Sequence, residues 1–116
     1  MKYEIINSEL FTVFEVKETH FDAKLAPFFR HIVADLHNQF RPVLLIDLSN
    51  VSFMDSSGLG AIMEIYKLLR DKELMIVGAS TSVNELMHLT RMDKLMPSFF
   101  SIEEAMRAAI ESDIKH

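Results

Sequence analysis

The sequence predicts a single α/β domain, a mixed sheet with helices mainly on one face, in the order β-β-α-β-α-β-α-β-α. Three observations lead there. The hydrophobic period switches repeatedly between strand-like runs and the three-to-four-residue spacing of a helix face. Two short continuous apolar runs, VLLID (Val43 to Asp47) and LMIVGA (Leu74 to Ala79), have the composition of strands buried on both faces, as in a parallel sheet. No repeat, low-complexity tract or Gly/Ser/Pro-rich linker interrupts the 116 residues, a length typical of one domain. Residues 1–116 are therefore expected to form one domain, with about 1–111 as the ordered core and 112–116 as a frayed tail.

Each element follows from its residues. KYEII and LFTVFEV are rich in β-branched and aromatic side chains and are separated by Asn7-Ser8-Glu9, which predicts a hairpin. From Asp22 the period lengthens. Leu25, Phe28, Phe29, Ile32, Val33, Leu36 and Phe40 share one helical face, with Asp22 as the expected N-cap, Pro27 in the first turn and Pro42 as the stop. VLLID then reads as a central strand. Leu59, Ile62, Met63, Tyr66 and Leu69 form a second helical stripe, closed by the charged RDKE, and LMIVGA returns to the sheet. Ser82 with Glu85 and Ser101 with Glu104 both have the spacing of a capping box, so a helix is expected after each. PSFF, between those two helices, reads as an edge strand.

Composition removes several function classes. The formal net charge is −5, with 12 Lys and Arg against 17 Asp and Glu, and no basic run offers a footprint for nucleic acid. Without cysteine there is neither a disulfide nor a thiolate metal site. The N-terminal MKYEIINSEL has no long apolar core, and no run approaches the roughly 20 residues of a spanning helix. No membrane insertion is expected, and the cytoplasm is the expected location. Neither a P-loop nor G-x-G-x-x-G occurs, so no nucleotide or other cofactor is expected. His20, His31, His37, His88 and His116 are scattered, and His31 and His37 are six apart rather than at the i, i+4 spacing of paired helical ligands, so no metal site is expected. M-D-S-S-G lacks the first glycine of the G-x-S-x-G nucleophile elbow, and the chain is not expected to be an enzyme. Among eight methionines, Met63, Met75 and Met106 fall on core periods, while Met54, Met87, Met92 and Met96 fit either a core or an adaptable contact surface.

One stretch remains unexplained by packing alone. The chain has three glycines, and two of them, Gly58 and Gly60, lie in FMDSSGLG (Phe53 to Gly60). This stretch links a buried strand to an amphipathic helix, at the strand ends where ligands and partners gather on open α/β sheets. Asp55 or Ser56 can cap the helix, which taken alone is an ordinary structural role. Each glycine in the first turn costs roughly 1 kcal/mol relative to Ala. A missing Cβ must then serve either close packing or the approach of another molecule.

The run VSFMDSSGLG (Val51 to Gly60) resembles the signature of the STAS domain family, most closely of its bacterial anti-sigma factor antagonists. Its place after the third strand, together with length and element order, extends the resemblance over the whole chain. The resemblance implies that Ser56 is phosphorylated by a partner that is both a serine kinase and an anti-sigma factor. The unphosphorylated protein binds that partner and frees the sigma factor, and a serine phosphatase resets the switch. Asp55 would cap and position the loop, Ser57 would help cap, and Gly58, Leu59 and Gly60 would complete the docking edge, the glycines allowing close approach. Where family members often carry Gly-Glu-Leu-Asp after the second strand, this chain has Thr19-His20-Phe21-Asp22. The Asp and the apolar residue before it match, and His20, Phe21 and Asp22 are expected to form a docking turn near Ser56. The same domain also implies a different use, as a binding subunit of a transporter or larger signalling assembly in which Ser56 is a contact and is never phosphorylated.

Overall fold

The computed structural model describes the backbone of residues 1–114. Strands β1 (Tyr3–Asn7) and β2 (Phe11–Val16) form the expected hairpin, with Tyr3 opposite Val16 and Asn7 opposite Thr12. The chain continues through β3 (His20–Phe21), α1 (Ala26–Leu36), β4 (Val43–Asp47), β5 (Phe53–Met54) and α2 (Ser56–Leu68). It ends with β6 (Glu73–Val77), α3 (Thr81–Leu89), β7 (Ser98–Phe99) and α4 (Ile102–Ile114). The main sheet has the order β1-β2-β4-β6-β7, in which only the β1–β2 pairing is antiparallel. All five residues of VLLID are buried, as a strand covered on both faces requires.

The pleat divides the core in two. Phe14, Leu44, Ile46 and Ile76 face one side of the sheet, where they pack with Phe29 and Val33 of α1, Ile62 and Ile65 of α2, and Val83 and Met87 of α3. Val13, Leu45, Met75 and Val77 face the other, where α4 contributes Ala105 and Ala109. Three helices thus cover one face and α4 the other, which is the mixed, unequally covered sheet that the pattern predicts. Five methionines, Met54, Met75, Met87, Met92 and Met96, are buried, so most of them serve the core. No helix among the described residues is long and apolar enough to cross a membrane.

Several expectations need correcting. β3 and β5 pair in parallel as a separate two-stranded sheet, and the sequence pattern predicts neither strand. Two residues are too few to show a period. The first helix starts at Ala26, with Pro27 in its first turn but with no side-chain cap. Asp22 instead accepts hydrogen bonds from the N–H groups of Lys24 (3.1 Å) and Leu25 (3.2 Å), shaping the turn that leads into the helix. The helix stops at Leu36 and a short 3-10 turn, His37–Gln39, follows, so Phe40 is buried from outside the helix, against Phe14. Ser80, not Ser82, caps α3, by accepting from Val83 N–H at 3.2 Å. Ser101 does cap α4, accepting from Glu104 N–H at 3.1 Å while the Glu104 carboxylate reaches back to Phe100 N–H. α4 runs past Glu111 to Ile114. Lys115 and His116, the end of the expected tail, lie outside the described residues.

Candidate functional site

The loop leaving β4 is tied to the sheet before it reaches the site. Leu48 N–H donates to the Val77 carbonyl at 2.9 Å and Val51 N–H to the Leu48 carbonyl at 3.0 Å, with both side chains in the core. The chain then meets the turn after β2. The N–H groups of Ser52 and Phe53 both donate to the Thr19 carbonyl, at 2.9 and 3.2 Å, and His20 and Phe21 pair with Phe53 and Met54. The expected neighbourhood of His20-Phe21-Asp22 and the Ser56 loop is thus built by main-chain hydrogen bonds between β3 and β5.

Asp55 follows in an extended conformation, and its Oδ1 accepts from Ser57 N–H (2.9 Å) and Gly58 N–H (3.2 Å). One carboxylate oxygen therefore satisfies two of the first-turn donors that a helix leaves unpaired. Of the two expected caps the structure uses Asp55. Ser57 contributes its N–H to this arrangement, and no hydrogen bond from its hydroxyl is found among the described residues. Ser56 is the first residue of α2 and is exposed, with its hydroxyl free of any hydrogen bond among the described residues.

The two glycines do different things. A Cβ on Gly58 would sit 2.2 Å from the Phe21 carbonyl oxygen and 2.8 Å from Phe21 Cδ1. Phe21 is itself fully buried, edge-on to Phe29 at a centroid distance of 5.0 Å. The missing side chain at Gly58 therefore serves the chain's own packing of α2 on β3, the first of the two uses that the sequence leaves open. Gly60 is exposed, and a Cβ added there would meet nothing within 4 Å, so this is the glycine that leaves open room. Leu59 between them is buried and anchors the turn.

On the outer side, Phe53 is 48% exposed with its ring 5.7 Å from that of His20. Phe53 is not among the site residues that the sequence predicts. Phe and Met are both apolar and two residues show no period, so no signal in the sequence marks Phe53; only the structure turns it outward and Met54 inward. The described histidines have partners other than Ser56: His20 the Thr19 hydroxyl, His31 Asp35, His37 the Ala34 carbonyl and His88 Asp93. The hydrogen bond from His88 Nδ1 holds the Asp93 carboxyl below the usual carboxylate range. Among the described residues no group of His, Cys, Asp and Glu could hold a metal ion.

The chain as a whole has known relatives. The family model described as the STAS domain matches residues 3–105. The chain is 33% identical over 77 residues to an anti-sigma-B factor antagonist of Staphylococcus aureus, a match spanning 65% of this chain and 71% of that protein. It is 36% identical over 58 residues to an anti-sigma F factor antagonist of Paenibacillus polymyxa, a match spanning 48% of this chain and half the length of that relative. Among solved structures, an anti-sigma factor antagonist from Mycobacterium paratuberculosis has a TM-score of 0.82 and 25% identity, with 92% of each chain covered.

Proposed function

We propose that this chain, which belongs to the STAS domain family, is an anti-sigma factor antagonist, a regulatory binding protein rather than an enzyme. In its unphosphorylated form it binds an anti-sigma factor that is also a serine kinase. Phosphorylation of Ser56 ends that binding, and a serine phosphatase restores it. The observation that carries this reading is the division of labour between Asp55 and Ser56: Asp55 alone caps α2, which leaves the exposed Ser56 hydroxyl uncommitted beside the β3–β5 edge.

The electrostatics make such a switch act on binding rather than on the fold. A phosphoserine adds about −1.5 to −2 charge at neutral pH. At the first residue of α2 that charge meets the favourable end of the helix dipole, and Asp55 keeps its own hydrogen bonds. A partner surface fitted to a small neutral hydroxyl meets bulk and like charge instead, next to the Asp55 carboxylate. His20 and Phe53, exposed on the same edge, supply polar and apolar contact that this partner would read.

The test is capture of partners from the native host's lysate with tagged wild type, Ser56→Ala and Ser56→Asp, identified by mass spectrometry, together with the intact mass of the recovered protein. A kinase-like anti-sigma factor held by wild type and Ser56→Ala and lost by Ser56→Asp, with one phosphate on Ser56 in part of the wild-type pool, is the expected result. Transporter or scaffold subunits held equally by all three would overturn it.

A further inference from the structure

Among the described residues, the most exposed large apolar side chains are not part of the Ser56 edge. Phe100 is 88% exposed and Leu89 is 80% exposed, and both line one open groove of about 460 Å³ along α3, with Thr81, Asn84, Glu85 and His88. A second hollow shares His88 and Leu89 and continues to Arg91, Asp93 and Lys94. Both linings run only from Thr81 to Phe100, so neither hollow includes the β3 turn or the Ser56 loop. Leu89 thus stands between an end that carries Glu85 and an end that carries Arg91 and Lys94. Asp93, the other acid on the basic side, is already paired with His88 at 2.8 Å.

We infer that this face binds a second copy of the same chain, with α3 packed antiparallel on its symmetry mate about an axis near Leu89. The charge pattern selects that occupant. In a twofold interface the same patch meets itself, so residues on one side of the axis face the partner's residues from the other side. Glu85 of each copy then meets Arg91 and Lys94 of the other, two sets of opposite charges from one linear pattern. The apolar knobs match as well, because each copy offers both the projecting Phe100 and a groove beside Leu89. The two side chains present roughly 300 Å² of apolar surface, the size of the largest patch on an ordinary monomer, which is often functional. A stable interface buries about 800 Å² per partner with a polar rim, so this patch supplies its centre and the charged ends its periphery. The pairing is independent of the proposed switch at Ser56.

Sedimentation equilibrium on the full chain tests this. Wild type is expected to dimerise in the micromolar range or tighter. Leu89→Glu and Glu85→Arg are each expected to weaken self-association at least about tenfold, since they bury a charge at the centre or set like charges against each other. Both positions are exposed, and thermal melting at dilute concentration checks that the variants fold. Glu85→Arg combined with Lys94→Glu is expected to recover most of the loss. A wild-type chain that stays monomeric throughout the micromolar range would overturn the inference, as would a Leu89→Glu variant that dimerises unchanged. A double variant no better than Glu85→Arg alone would overturn the antiparallel arrangement.

Discussion

Replacing Gly58 by Ala should destabilise the protein, while the same change two residues later should not. The added Cβ at position 58 would lie 2.2 Å from the Phe21 carbonyl oxygen, far inside the 3.4 Å at which ordinary contact begins. Phe21 has nowhere to retreat, because it is fully buried, packed on Phe29 and paired in β3 with Met54 of β5. Overpacking of this kind costs about 1–3 kcal/mol, and a clash with main chain belongs at the upper end. The better helix propensity of Ala returns roughly 1 kcal/mol, leaving a net loss of about 2 kcal/mol. At Gly60 an added Cβ meets nothing within 4 Å, so the propensity gain of up to roughly 1 kcal/mol stands alone. Urea unfolding followed by circular dichroism measures both changes, as midpoint shifts at constant m. The variants should differ by about 3 kcal/mol, or melting points more than about 10 °C apart. A Gly58→Ala variant as stable as wild type would refute the tight contact between α2 and β3. So would a Gly60→Ala variant that loses stability with it.

Two further changes probe polar contacts. Asp55→Ala removes the acceptor for Ser57 and Gly58 N–H and should cost about 1 kcal/mol by the same unfolding measurement, with faster amide exchange in the first turn of α2. Thr12 is fully buried, donating its hydroxyl to the Asn7 side chain and accepting from Arg41 N–H at 2.7 Å. Thr12→Val keeps the shape but removes both hydrogen bonds, and because Asn7 and Arg41 are exposed and can turn to water, it should cost about 1 kcal/mol in the unfolding free energy.

Much of this protein is written in local pattern. The two buried strands, the helical stripes of α1 and α2, the hairpin at Asn7-Ser8-Glu9 and the cap at Ser101 follow from periodicity and capping chemistry, which act within a few residues of sequence. The D-S-S-G-L-G run places the candidate site for the same reason, since Asp55 caps a helix beginning at the next residue. Other features depend on residues that are distant along the chain. β3 and β5 exist because Thr19, Phe21 and the Ser52–Met54 segment meet through main-chain hydrogen bonds across more than thirty residues, and neither pair of residues carries a period of its own. Gly58 is a packing glycine only because Phe21 occupies the space beside it. Phe40 matches the helical spacing, yet the helix ends first and its ring reaches the core from a loop. The exposure of Leu89 and Phe100 is equally invisible in sequence, because a periodic apolar position says which face a side chain shares and not whether another element covers that face. Short-range chemistry settles the helices and the longer strands; the meeting of distant segments and the filling of space between them, which no local pattern encodes, settle β3 and β5 and what each exposed or missing side chain is for.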